Sequence, residues 1–332
     1  MTALIIRRII LIIPLLFIIS IISFIIILLP PGSYVETYVE NLERTGFLMD
    51  ESQIKAIYKQ YGLDRPAVVQ YILWMSNFLL KGEMGRSFIY QKPVTEVIME
   101  RLPMSMAVTL ISLAVTWLLA LPIGIYSALR QYSIGDYVAT IIGFVGLALP
   151  NFLLALALTY LVFAKTGHAV TGLFSIEYKD APWTVDKFFD LLGNIWLPIL
   201  VIASAGTASL IRILRATLLD EKNKQYVTTA RAKGLPEHKL ILKYPVRVAI
   251  NPLISTIGWT LPLIVSGEII VSQTLGLETL GPVLLSAAMG EDMFLVGSIV
   301  MILSSLTVIG TLISDILLAW IDPRIRFDKV SI

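Results

Sequence analysis

The sequence predicts an all-α polytopic membrane protein with about six transmembrane helices. Of its 332 residues 56% are hydrophobic, with a mean hydropathy of +0.80. Only 15% are charged, against roughly 25% in soluble domains. Several uninterrupted apolar runs approach or exceed the ~20 residues that a helix needs to cross a ~30 Å hydrocarbon core. There is no cysteine, which excludes disulfides, thiolate catalysis and cysteine-ligated metals. The net charge of +2 is read as the basic bias of one membrane face and not as nucleic-acid binding.

The runs place spans at about residues 9–29, 104–129, 138–163, 195–211, 253–274 and 294–320. Arg7 and Arg8 before the run Ile9 to Leu29 resemble the start of a signal peptide, but the run is too long for one. Pro30-Pro31-Gly32 follows it in place of a small-residue cleavage site. Residues 1–29 are therefore taken as an N-terminal transmembrane helix. Apart from the first loop, which is too long for its charge to steer orientation, fifteen Lys and Arg fall on one side of these spans and three on the other. Both termini are then expected in the cytoplasm.

The organisation expected is an extracytoplasmic helical loop region over 30–103, a core transmembrane domain over 104–320 with a cytoplasmic loop at 212–252, and a cytoplasmic tail over 321–332. In the first loop, Asp50 can cap a helix with Gln53 reaching back, and Ile54, Ile57, Tyr58 and Tyr61 make one apolar face. Gly62 and Pro66 stop that helix. Val68 to Leu80, with Tyr71 and Trp74, reads as a helix lying at the membrane interface. Pro93 opens a third short helix that is expected to end before Pro103.

Catalytic constellations are nearly absent from the sequence. His168 and His238 lie on opposite sides of the membrane, no HExxH or GxSxG occurs, and no carboxylates cluster with metal-ligand spacing. No Gly-Lys-Ser or Gly-Lys-Thr is present to cradle ATP phosphates, so if ATP drives the protein another subunit binds it. Among 26 basic and 24 acidic side chains, only Glu268 and Asp315 fall within the spans. Each should face a cavity or a partner, and Asp315, near the cytoplasmic edge, suits pairing with a basic side chain. Two such residues are few for an ion-coupled carrier. Span five also carries Gly258, Trp259 and Pro262, which together with Glu268 mark a candidate translocation pathway or gate.

The loop at 212–252 is the most informative segment. Thr217 to Lys233 reads as a helix stopped by Gly234, and Pro236 opens a second helix to about Lys243. Its nine basic residues could rest on anionic membrane lipid. Alternatively Tyr226, Ala230, Leu235, Leu240 and Ile241 offer an apolar surface for docking in a groove.

Within this loop, Tyr226-Val-Thr-Thr-Ala-Arg-Ala-Lys-Gly-Leu235, with Asn251-Pro252 downstream, resembles the EAA loop of binding-protein-dependent ABC transporter permeases, in particular the first permease subunit of the oligopeptide/dipeptide/nickel family. Gln60-Tyr61-Gly62-Leu63-Asp64-Arg65-Pro66, Gly82-Glu83-Met84-Gly85-Arg86-Ser87, Arg101-Leu102-Pro103 and Asp322-Pro323-Arg324-Ile325-Arg326 agree in order, so the resemblance covers essentially the whole chain. Thr228-Thr229-Ala230 stands where the wider superfamily has Glu-Ala-Ala, and Tyr244-Pro245 replaces a more usual His-Ala.

The resemblance implies a type I ABC importer permease fold in a prokaryotic plasma membrane. It implies a second homologous permease, two cytoplasmic ATPases that carry the ATP and Mg, and an extracytoplasmic substrate-binding protein. The chain itself would be non-catalytic and hold no cofactor or metal. By position the ATPase-coupling residues would be Thr229, Ala230, Arg231, Ala232, Lys233, Gly234, Leu235, Pro236, Glu237 and His238. The cargo implied is peptide, with oligosaccharide or nickel as alternatives on the same architecture, and a secondary carrier or channel as the alternative outside it.

Overall fold

The computed structural model describes residues 2–28, 39, 50–61, 65–87, 89–168 and 170–321. The structure is helical, and among the described residues the sole β-pairing is an isolated antiparallel bridge between Arg86 and Pro93. The helices are α1 (Thr2–Leu28), α2 (Glu51–Tyr61), α3 (Ala67–Lys81), α4 (Val94–Leu129), α5 (Ile134–Ala148), α6 (Asn151–Thr166), α7 (Val185–Lys222), α8 (Gln225–Ala232), α9 (Glu237–Lys243), α10 (Pro245–Ala249), α11 (Asn251–Leu275), α12 (Leu280–Met289) and α13 (Met293–Ile321). Within the described residues, four helices are long and apolar enough to cross a membrane, and up to seven if each of three bent pairs counts as one span. The expected six fall inside that range.

Three sequence expectations about these helices need correction. The helix opened by Pro93 does not end before Pro103 but continues through it as α4. A proline removes one intrahelical hydrogen bond, and here Val94, Val97 and Ile98, all buried, hold the turns before it in place. The span expected over 138–163 is not one helix: α5 and α6 meet at a bend of 110°. Leu149 is extended (φ −85°, ψ 126°), the conformation that the ring of Pro150 favours in the residue before it. Span four is the apolar middle of α7, whose 38 residues make a rod of about 57 Å, so hydropathy located the buried stretch and not the helix ends.

The chain forms two compact units. One comprises Ile9–Ser105 and Thr279–Val308. Its core joins Phe24 and Ile27 of α1, Trp74 of α3, the start of α4, Leu280 and Val283 of α12, and Leu295 and Ile299 of α13. Gly297 lets α1 and α13 approach closely, since a Cβ there would lie 2.5 Å from Ile27 Cγ1 and 2.8 Å from the Ser23 carbonyl oxygen. The expected interface helix is α3, but its aromatic face is turned inward. Tyr71 and Trp74 pack edge-on and tilted against Phe24, and the Tyr71 hydroxyl shares a 2.7 Å hydrogen bond with Ser20. Packing both rings against α1 gives the Tyr71 hydroxyl a partner and covers the Trp74 ring. Val68, Leu79 and Leu80 remain exposed.

At the α2 start, Gln53 reaches back to the Asp50 amide (3.1 Å) as expected. Ile54 is half-buried, while the side chains of Ile57, Tyr58 and Tyr61 lie outside the described residues. So do residues 62–64 and 322–332 of the resembling motifs. The Gly82–Ser87 motif is fastened to the start of α13: Ser87 Oγ donates to Asp292 (2.5 Å), whose carboxylate also accepts from the amides of Ile89 and Leu295.

The other unit comprises Met1–Arg8, Met106–Glu278 and Ile309–Ile332. Its centre is a cluster of Ala120, Leu210, Leu214, Leu218, Val246, Ala249 and Leu253, tying α4 and α7 to α10 and α11. Asp315 pairs with Arg8 at 2.8 Å, the basic partner expected for an acid in a span. The segment between α6 and α7 is built and not loose. Lys187, buried, donates to the carbonyls of Ala181 (2.6 Å) and Lys179 (3.3 Å) and lies 4.7 Å from the Phe174 ring centroid. Those partners replace the ammonium's lost water.

Candidate functional site

The connector between α7 and α11 forms a corner of short helices. The expected single helix over Thr217–Lys233 is broken: α7 ends at Lys222, Lys224 is extended (φ −73°, ψ 152°), and α8 starts at Gln225. The break has a local cause. Glu221, buried at the end of α7, accepts from the Lys224 ammonium and, at 2.6 Å, from the Tyr226 hydroxyl, which ties the chain across the break. Lys222 donates to the Ala128 carbonyl at the end of α4 (3.2 Å), a cation placed where a helix C-terminus is negative.

Gly234 then adopts φ +78°, the left-handed conformation that glycine alone takes without steric cost. Its amide donates to the Arg231 carbonyl at 3.0 Å. Pro236 precedes α9, and Tyr244-Pro245 separates α9 from α10. Arg231 and Glu237 clamp the turn with a bidentate pair of 3.0 and 2.6 Å. With Glu237, His238, Lys239 and Lys243 among its seven residues, α9 stands outside the spans. The Arg231 guanidinium holds the Glu237 carboxyl below the usual carboxylate range.

The apolar docking surface expected here is corrected by the packing. Ala230 and Leu240 are buried with Val227, and Leu235, Ile241 and Tyr244 close over them. These side chains form the core of the corner itself, because helices this short hold no shape without a tertiary contact. Thr229, Arg231, Ala232, Lys233, Gly234, Pro236, Glu237 and His238 are exposed. The ten candidate coupling residues therefore straddle a turn, from the last turn of α8 to the first of α9. They present a polar outer rim over an apolar inner layer, and that layer is continuous in sequence with α10, whose Val246 and Ala249 sit in the α4–α7 cluster.

Of the candidate pathway residues, Gly258, Trp259, Pro262 and Glu268 all lie in α11, which runs unbroken from Asn251 to Leu275. The side chains of residues 258–268 lie outside the described residues, so the pathway role rests on sequence alone. A groove of about 990 Å³ opens between α4, α5 and α7, walled by Val115, Leu119, Val138, Ile142, Trp196 and Ile199. Such walls leave a polar solute's hydrogen-bonding groups unmet, so the groove suits hydrocarbon.

Sequence reasoning passed over Asp136 and Arg215, which form a bidentate pair (2.9 and 2.9 Å) between the first turn of α5 and the lower part of α7. Half of it was legible, since Ser133-Ile134-Gly135-Asp136 has the spacing of a capping box, and Ser133 Oγ does accept from the Asp136 amide (3.3 Å). The choice of Arg215 as partner, 79 residues away, needed the fold.

Comparison with known proteins agrees over nearly the whole chain. A family model described as the inner membrane component of binding-protein-dependent transport systems matches residues 120–327, and the model of that component's N-terminal part matches residues 1–109. The oligopeptide transport system permease protein AppB of Bacillus subtilis is 34% identical, covering 98% of this chain and 100% of its own length. A putative peptide permease protein of Brucella ovis is 29% identical over 92% of this chain and 93% of its own. The peptidoglycan transport system permease protein YejB of Agrobacterium fabrum is 28% identical over 99% of both.

Proposed function

Because the chain belongs to the inner membrane components of binding-protein-dependent transport systems, a family of multi-pass permeases, we propose that it forms half of the peptide pathway of an ATP-driven importer. A second homologous permease supplies the other half, and an extracytoplasmic binding protein delivers the cargo. Two cytoplasmic ATPases bind ATP and Mg. Both termini and the α7–α11 connector face the cytoplasm, where the basic excess lies.

The observation that carries the reading is the α8–α9 corner. Its exposed rim, Thr229 to His238 with the Gly234 turn at its apex, is stiffened by its own small core and rooted in α7 and α10. A rigid projection of this kind is what a partner must grip in order to move membrane helices. Membership of this family separates the chain from self-sufficient carriers and channels. Peptide is the cargo we favour because the name of the AppB relative specifies oligopeptide. The YejB relative, named for peptidoglycan, supports a second reading in which the cargo carries sugar.

The test is reconstitution of the chain with its neighbouring permease, ATPases and binding protein in vesicles. Peptide-loaded binding protein should stimulate ATP hydrolysis and drive uptake of labelled peptide. Stimulation by oligosaccharide or muropeptide, with none by plain peptide, would move the assignment to the second reading.

A further inference from the structure

α5 and α7 meet at successive levels, running in opposite directions. At the first, Arg215 Nε and Nη2 donate in parallel to Asp136 Oδ1 and Oδ2, each at 2.9 Å, and Asp136 is only 2% exposed. The same carboxylate accepts from the Tyr132 amide at 2.9 Å, so the turn preceding α5 is folded onto the same fork. Two helical turns further along, a Cβ on Gly143 would stand 3.7 Å from the Ala208 Cβ, and one on Gly146 3.5 Å from the Ser204 carbonyl oxygen. Beyond that, α5 stops at the Leu149–Pro150 break. In the other direction α7 runs through the buried Leu214 and Leu218 into the connector.

We propose that the Asp136–Arg215 pair is a positioning joint that makes α5 travel with α7, so that a displacement of the α8–α9 corner is delivered to the Leu149–Pro150 break. The proposal rests on the coupling reading above. Its physical basis is the difference between a buried fork and a surface ion pair. An exposed pair slips at little cost, whereas a guanidinium seated on both oxygens of a buried carboxylate fixes orientation as well as distance. Removing Arg215 strands a buried carboxylate, and removing the Asp136 charge leaves a partly exposed guanidinium without its fork.

The test uses the complete transporter in vesicles. Asp136→Asn should still co-purify with the ATPases, since it leaves the corner untouched, while uptake per ATP hydrolysed falls about two- to thirtyfold. Arg215→Lys, which keeps the charge and loses the fork, should fall between the two. The chain has no cysteine, so Gly143→Cys with Ala208→Cys introduces a single pair, at a Cβ separation that suits a disulfide.

Oxidising that pair should leave uptake intact in the otherwise unchanged chain and restore it in Asp136→Asn, with reversal by reductant. Normal uptake by Asp136→Asn overturns the joint. So does loss of its ATPases on purification, which would make the pair a fold element alone, and so does a block of uptake by the disulfide in the otherwise unchanged chain, which would mean that α5 and α7 slide past one another. Gly234→Val, run in parallel, separates the two proposals. If it keeps stimulated hydrolysis and uptake, the coupling reading falls and takes the joint's role with it; if it loses both, only the joint is under test.

Discussion

Gly234 is the residue on which the corner turns. A Cβ there would meet nothing within 4 Å, so any substitution acts through the backbone: φ of +78° costs a β-branched residue about 1 kcal/mol or more. Gly234→Val is expected to leave membrane insertion and helix content unchanged and to lose substrate-stimulated ATP hydrolysis. Gly234→Asn, which tolerates the left-handed region better, should retain part of it. Glu237 adds a pH dependence. Its carboxyl is held low by Arg231, so this exposed pair contributes its small stiffening above the unfolded carboxylate value of about 4.3 and loses it as pH falls through the lower folded value. Amide protection factors across residues 225–243, taken against the intrinsic exchange rate at each pH, should fall modestly on acidification through that window in the unchanged chain. In Glu237→Gln the protection factors should sit at the lower level throughout and show no such pH step.

Among the elements, the corner depends on very few buried side chains. Leu240 is fully buried with Val227 and Ala230, and truncating such a leucine costs about 2–5 kcal/mol, more than so small a cluster can absorb. Leu240→Ala should therefore release α8 from α9. The measurement is limited trypsin digestion, in which Arg231, Lys233 and Lys239, all exposed, become rapid cleavage sites in the variant and stay slow in the unchanged chain. The α5–α6 break belongs to the same scale, because replacing Pro150 restores the helical region to Leu149. Pro150→Ala should lengthen the helical segment that crosses the bend, visible as slowed amide exchange at Leu149 and Asn151, with reduced uptake.

For the whole molecule the prediction is topological and energetic. A reporter active only in the cytoplasm should work when fused near Arg247 and fail near Glu278; the reverse pattern would invert the orientation drawn from the fifteen-to-three basic asymmetry. The purified chain alone should hydrolyse no ATP, since it has no phosphate-binding loop, and turnover that survives removal of every contaminating ATPase would remove the need for the partner subunits.

Composition and apolar run length alone determined that this is a polytopic helical membrane protein, because crossing ~30 Å of hydrocarbon forces long uncharged helices whatever their packing. Local chemistry was equally legible: the Gln53 return to Asp50, the Gly234 turn and the Pro236 restart each need only neighbours in sequence. What only the tertiary structure decided depends on distant partners. Pro103 is carried inside a helix because Val97 and Ile98 are buried. Tyr71 and Trp74 find their partners on α1, at Ser20 and Phe24. Leu240 and Ala230 point inward to build the corner, not outward to dock it, and Arg215 reaches Asp136 across 79 positions. A hydrophobic pattern states that a face is buried; which surface buries it is a property of the fold.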